Sequence, residues 1–385
     1  MQAETSGGSQ AQLKRGNRMA IIRQLRVHPG QSRVDLATAL GLTKSTVSAL
    51  TRELIDDGWL LEREVVATGD LGRRPTPLFI DPTRLLLLGA QVGIGHVRVV
   101  LTSLTGEVLA ARNATYDTER EIDACVRTLT RQLLAVAARR GEAQRIIGIG
   151  LGLPGGVDQA RDQLVFAPHL RWHQVPFGTL LRAALQATPL SGVPVFMQND
   201  ADVAALGETE FNPSPAADPL LLVLVGEGVG AGLVVGGRLL TGARGFAGEV
   251  GHMVLQIDGP RCSCGRRGCA EALIGSRALL PQEGVAGDAQ AAAAVAKAGR
   301  YLGVLLQNLA AAYDPACIVL GGPAMALGNA LLAPVRATLQ QYAQAAGLPE
   351  PALRLSRFGD DAIAVGAAAL AVYRLTQARL DQQLL

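Results

Sequence analysis

The sequence predicts an α/β chain in two parts: a small helical N-terminal unit ending in a β-hairpin, and a larger duplicated unit with a cleft between its copies. Three observations predict it. Between Asn17 and Trp59 apolar residues recur at helical spacing in three short blocks. From Leu85 onward, apolar runs instead meet at glycine-rich turns, as paired strands do. That second pattern occurs twice, as Leu85 to Gly95 with Val97 to Leu101 and as Leu220 to Gly232 with Leu233 to Val235. At 385 residues and 49% hydrophobic, the chain can bury two or three cores, and a disordered tail is expected over 1–16.

The helical blocks are Met19, Ile22, Leu25; Val34, Leu36, Ala37, Leu40; and Val47, Leu50, Leu54, with breaks at His28-Pro29-Gly30 and Gly41. Ser32 is placed to cap the second helix and Thr43 the third, and Leu40-Gly41-Leu42-Thr43 is the short glycine-bearing link of a helix-turn-helix. Leu60 to Val66 and Thr76 to Ile80 read as a hairpin wing, which completes a winged helix-turn-helix over 17–81. The stretch is also basic. Between Ala11 and Leu54 eight Lys and Arg residues face only Asp35 and Glu53, in a chain whose net charge is +3. Double-stranded operator DNA is therefore the expected partner. Thr43, Lys44, Ser45, Thr46, Ser48 and Arg52 would meet the major groove, and Arg73 and Arg74, between Gly72 and Pro75 at the wing tip, a narrow minor groove. The plainer alternatives are a helical bundle that docks a partner helix and a solvated charged turn.

Asp81-Pro82 marks the start of the second unit, 82–385. An amphipathic helix is predicted over about Glu119 to Arg140, then a buried strand over Ile146 to Leu151. The most apolar runs carry Gln91, His96 and Arg98 in one case and Glu227 and Arg238 in the other, so they fit buried strands and no membrane partner. Met1 to Gln12 has no leader pattern, and a cytoplasmic location is expected.

Cys262, Cys264 and Cys269 fall within eight residues, whereas Cys125 and Cys317 stand alone in apolar surroundings. That spacing indicates a metal site in a reducing compartment and no disulfide framework. With His252 upstream, three thiolates and an imidazole make a closed tetrahedral set, so one structural Zn2+ per chain is expected in a loop over 252–269. Gly265 and Gly268 let the loop curl, and Arg266 and Arg267 would offset thiolate charge.

Three ordered stretches then carry a resemblance: Asn199-Asp200-Ala201-Asp202 through Glu208, Gly245 through Glu249 to His252, and the cysteine run ending at Glu271. They resemble the signature of the ROK family (repressors, open reading frames and sugar kinases), and the N-terminal unit is similar to its repressor branch. The resemblance implies an actin-like, hexokinase-type (RNase H-like) fold with a sugar in the interlobe cleft. It implies sugar contacts from Gly155, Asn199, Asp200, Glu249, His252 and Glu271. Such groups suit a polyol, and one imidazole can serve sugar and zinc through its two nitrogens.

The phosphate side departs from the family's kinases. Where their first loop resembles Asp-x-Gly-Gly-Thr this chain has Gln91-Val92-Gly93-Ile94-Gly95-His96, and where the second resembles Gly-Thr-Gly it has Gly226-Glu227-Gly228. Glu227 would place an anion against a triphosphate. The expected function is thus a sugar-responsive DNA-binding regulator without catalytic activity, working as a homodimer on two-fold operators, with a sugar or sugar phosphate as effector. The alternatives are an ATP-dependent sugar kinase with an appended DNA-binding arm and a constitutive DNA-binding protein with a dead sugar domain.

Overall fold

The computed structural model describes residues 10–63, 76–117, 121–212, 217–279 and 288–377. The N-terminal unit comprises α1 (Gln10–Val27), α2 (Arg33–Leu40), α3 (Lys44–Asp56) and the antiparallel pair β1 (Leu60–Glu62) and β2 (Leu78–Ile80). Ser32 and Asp35 form a reciprocal capping box at the start of α2, and Gly41 ends it at φ 64°. Thr43 caps α3 by accepting from the Thr46 amide. Ile21, Leu25, Leu36, Val47, Leu54, Leu60 and Leu78 close a small core. The helix α1 begins inside the stretch expected to be a tail over 1–16. Its first turns carry no apolar face at helical spacing, Leu13 being exposed, and Lys14 Nζ there lies 2.7 Å from Glu53 of α3. Among the described residues the wing strands span Leu60–Glu62 and Leu78–Ile80, and residues 64–75, Arg73 and Arg74 with them, lie outside those described.

The second unit repeats one topology. In the first copy β3 (Leu85–Val92), β4 (His96–Ser103) and β5 (Val108–Thr115) form an antiparallel meander, and after α4 (Glu121–Ala137) strand β6 (Arg145–Leu153) returns parallel to β3. A small sheet of β7 (Gly156–Asp158), β8 (Gln163–Ala167) and β9 (Trp172–Val175), then α5 (Phe177–Leu185), precede β10 (Val195–Asn199), which adds parallel to β6 and leads into α6 (Asp200–Glu210). The resulting order is β10-β6-β3-β4-β5. In the second copy β11 (Leu220–Val225), β12 (Val229–Val235) and β13 (Arg238–Leu239) form the meander. Helices α7 (Ala270–Ile274), α8 (Ser276–Leu279) and α9 (Asp288–Tyr313) follow it. Then β14 (Cys317–Gly321), α10 (Asn329–Ala346) and β15 (Leu353–Leu355) complete the order β13-β12-β11-β14-β15. Helix α11 (Ala362–Thr376) ends the described chain.

Strand alternation sorts the core. Leu86, Leu88 and Ala90 of β3 face the α4 side, whereas Leu85 and Leu87 face the layer made by α6 and α11. That layer is built of small residues so that helix and sheet can touch by backbone. A Cβ at Gly150 of β6 would lie 1.7 Å from the Ala367 carbonyl oxygen. Gly150→Val should consequently lower stability by about 3 kcal/mol through overpacking, read as a fall in urea midpoint. An unchanged midpoint would show the backbone approach to be slack. Among the described residues, no helix is long and apolar enough to cross a membrane.

Candidate functional site

The ends of β3, β6 and β10 in one lobe and of β11 in the other converge on a cleft of about 860 Å³. Gly155, Asn199, Asp200, Glu249, His252 and Glu271, the six predicted contacts, all line it. Each reaches it from a different local device. Asn199 ends β10 and caps α6, its Oδ1 accepting from the amides of Ala201 (2.8 Å) and Asp202 (3.3 Å) while its Nδ2 donates to the Gly155 carbonyl (3.0 Å). Much of its hydrogen-bonding capacity is therefore committed to shaping the wall. Gly155 sits at φ 106°, and a Cβ there would meet the Phe166 carbonyl oxygen at 2.0 Å, so only glycine fits.

Asp200, the first residue of α6, turns its carboxyl back to the Ala201 amide at 2.7 Å. Burial raises its pKa to about 6, against the lowering effect of backbone hydrogen bonds and of His169. Glu249 rises to about 7 through burial and the neighbouring charges of Asp200 and Glu271. Glu271 goes the other way: although burial opposes it, His169 and Ser263 hold it at about 2. The cleft thus holds one firm anion and two carboxyls that can donate as well as accept, a set suited to hydroxyl groups.

His169, just after β8, escaped the sequence reading. Its Nε2 is buried, faces the cleft and lies 3.4 Å from Glu271 Oε2. Glu271 raises its pKa. A lone histidine between proline and leucine carries no spacing signal; only the approach of the turn Pro168–Leu170 to Glu271 of α7 reveals it.

Beside the cleft, the ligand atoms of His252, Cys262, Cys264 and Cys269 all lie within 4.8 Å of one another. Cys264 Sγ and Cys269 Sγ are 3.8 Å apart, and His252 Nδ1 is 3.6 Å from Cys262 Sγ. Tetrahedral zinc with ordinary bond lengths needs edges of roughly 3.8 Å for two sulfurs and 3.6 Å for sulfur and nitrogen, so the set fits. This cluster can hold a metal ion. Burial, then the adjacent thiols of Cys264 and Cys262, push Cys269 up to about 12. Arg266 pairs with Cys264, as expected, but Arg267 turns away to the Gly259 carbonyl at 3.2 Å. The other nitrogen, His252 Nε2, looks toward Glu249 Oε2 at 3.8 Å, and Cys269 directly precedes the helix that presents Glu271. Metal loop and cleft therefore share residues.

Each glycine turn along the cleft closes on itself, and the second lies against Glu271, to which a Cβ at Gly228 would come within 3.0 Å. The Gly93 amide donates to the His96 carbonyl and the Gly226 amide to the Gly228 carbonyl, both at 2.9 Å. The His96 ring lies over Gly93, where a Cβ would meet it at 2.1 Å. Arg98 is engaged by Asp361 and Asn113, while Glu227 and Asp360 line the wall.

In α3, Thr43, Lys44, Ser45 and Arg52 are exposed and Thr46 and Ser48 half-buried. The hydroxyls of Thr43, Ser45 and Thr46 are linked to one another in the cap. Of the basic residues nearby, Lys14, Arg18, Arg26 and Arg33 are spent on internal ion pairs, whereas Lys44 and Arg52 have none among the described residues. The charge excess thus overstates what faces outward.

The ROK family model matches residues 87–374, and a winged helix-turn-helix DNA-binding model matches residues 15–60. The chain belongs to the ROK family. Among its relatives is the xylose repressor of Caldicellulosiruptor bescii, 26% identical, with 95% of this chain and 97% of that protein covered. The crystal structure of a ROK family transcriptional regulator, a homologue of the E. coli MLC protein, superposes with a TM-score of 0.75 at 26% identity, covering 95% of this chain and 97% of that one. A ROK family glucokinase from Streptomyces griseus, solved with glucose and AMPPNP, gives 0.63 at 26% identity and covers 74% of this chain and 99% of its own. The kinase likeness leaves the N-terminal unit unmatched in length.

Proposed function

We propose that this chain is a sugar-responsive DNA-binding repressor. The observation that carries the reading is the joining, in one chain, of a winged helix-turn-helix that presents Lys44, Ser45, Ser48 and Arg52 with a cleft lined by Asp200, Glu249, Glu271, His169 and His252. The DNA-binding unit runs to residue 81 and the effector unit from 82, with the wing arginines Arg73 and Arg74 completing the DNA surface. The effector is a monosaccharide or its phosphate, and the xylose repressors among the relatives make D-xylose the first candidate. Zn2+ held by His252, Cys262, Cys264 and Cys269 is structural, because the set is closed; it fixes the orientation of the imidazole that meets the sugar. Two copies read a two-fold operator as a homodimer.

Self-closed glycine turns and the acidic wall of Glu227 and Asp360 argue against triphosphate binding, since phosphoryl transfer rests mainly on positioning and neutralising phosphate charge. One observation favours the second reading, a sugar kinase with a DNA-binding arm: Asp200, raised to about 6, has the proton affinity of a general base.

Anisotropy titrations of duplexes from the DNA upstream of its own gene, with and without D-xylose, and sugar-dependent ADP release with magnesium and ATP, separate the two. Specific binding that shifts with sugar and no ADP release is expected. Rapid ADP release would make the chain an enzyme, and binding that ignores every sugar would make it constitutive. In the same assay, the Lys44→Ala, Arg52→Ala double variant should bind more weakly and reduce the log–log salt slope by about two, one for each DNA phosphate whose charge is no longer neutralised. An unchanged slope would move the DNA surface elsewhere.

A further inference from the structure

Helix α6 joins the cleft to the DNA-binding unit. Its first residue, Asp200, lines the cleft, and its last, Glu210, receives Arg26 of α1: the guanidinium donates to the Glu210 carboxylate through Nη1 and to the Glu210 carbonyl through Nη2. Arg26 thus pairs with a charge and at the same time caps the negative end of α6. The two side chains are only 10% and 17% exposed, and among the described residues theirs is the one ion pair between the two units. The remaining bonds across the joint are less demanding, such as Arg84 Nη1 to the Ile55 carbonyl at 3.1 Å, with Trp59 and Ile80 packed on both sides.

The helix between these ends has little freedom to bend or slide alone. A Cβ at Gly366 of α11 would lie 2.1 Å from the Val203 carbonyl oxygen, so α6 and α11 touch by backbone. Glu208 is wholly buried, accepting from Arg354 and Ser356 at 2.7 Å and from the Arg357 amide at 3.0 Å. A shift imposed at Asp200 therefore moves Glu210 with it, and close-packed elements pass such shifts on without absorbing them.

We infer that the Arg26–Glu210 pair is the link through which cleft occupancy reaches the DNA-binding helices, with α6 as a stiff strut. This rests on the repressor reading above. Glu210 and Arg26 touch neither sugar nor base; they act as positioning residues for α1. The test measures three quantities: D-xylose Kd by calorimetry without DNA, operator Kd without sugar, and the ratio of operator Kd values with and without saturating D-xylose. In the parent chain that ratio should differ from one by about tenfold or more. Glu210→Gln and Arg26→Gln should leave D-xylose affinity within about threefold while the ratio collapses toward one, and Arg26→Lys, which keeps the charge but removes the second donor, should fall between. Single variants that keep the parental ratio would overturn the strut. A parent that binds its operator identically with and without D-xylose and every other sugar would overturn the repressor reading instead. Melting curves of the Arg26→Lys chain guard against misfolding, since that variant retains the ion pair.

Discussion

Cys269→Ser should reduce the metal content from about one zinc per chain to a trace, and sugar affinity should fall with it by about 100-fold or more. Cys269 is both a ligand and the residue that opens α7, so its replacement releases two cleft groups together: His252, no longer held through Nδ1, and Glu271, whose Oε1 accepts from Ser263 inside the loop at 2.5 Å. Three thiols within one small loop cannot all ionise without a cation. Metal analysis alongside calorimetry with D-xylose checks both halves, and a metal-free chain of parental sugar affinity would uncouple the loop from the cleft.

Asp200→Asn should make the chain more stable and less responsive. Burial raises the carboxyl from 3.8 to about 6, so the folded state holds this proton more tightly than the unfolded state does. The penalty for ionising it is absent below 3.8, grows as pH passes from there to 6, and is complete above 6. Removing the ionisable group should accordingly raise stability by up to about 3 kcal/mol at pH 8, with the gain fading toward pH 4. Sugar affinity should meanwhile drop about 10–100-fold, because a charge-assisted acceptor is removed. Urea midpoints of parent and variant compared at pH 5 and pH 8 test the first half. A variant less stable at pH 8 would mean that the carboxylate is already compensated by partners.

What was legible in the sequence was whatever is written locally. The cysteine run, the capping Ser32 and Thr43, and the doubled strand–glycine–strand pattern each lie within a dozen or so residues, and each was found where expected. Groups that matter through long-range approach were not legible. His169 gains meaning from Glu271, Glu208 from Arg354, and Arg26 from Glu210, and no periodicity links such partners. The start of α1 was missed for the related reason that Lys14 is held by a helix further along the chain. Charge counting gave the right partner class for the N-terminal unit but could not separate outward-facing Lys44 and Arg52 from the arginines spent inside.

The alanine-rich helix α11 has a consequence for the order in which the protein is made. Leu85 and Leu87 of β3 face inward on a layer completed by α11, which is the last described element to be synthesised. On the ribosome, the first lobe's sheet therefore waits with this face only partly covered, by α6, while the whole second lobe is translated, a period in which nascent chains aggregate or recruit chaperones. The DNA-binding helices are under no such constraint, since their core closes at Leu78. A stalled or truncated translation product would accordingly carry a finished DNA-binding unit without a working sensor.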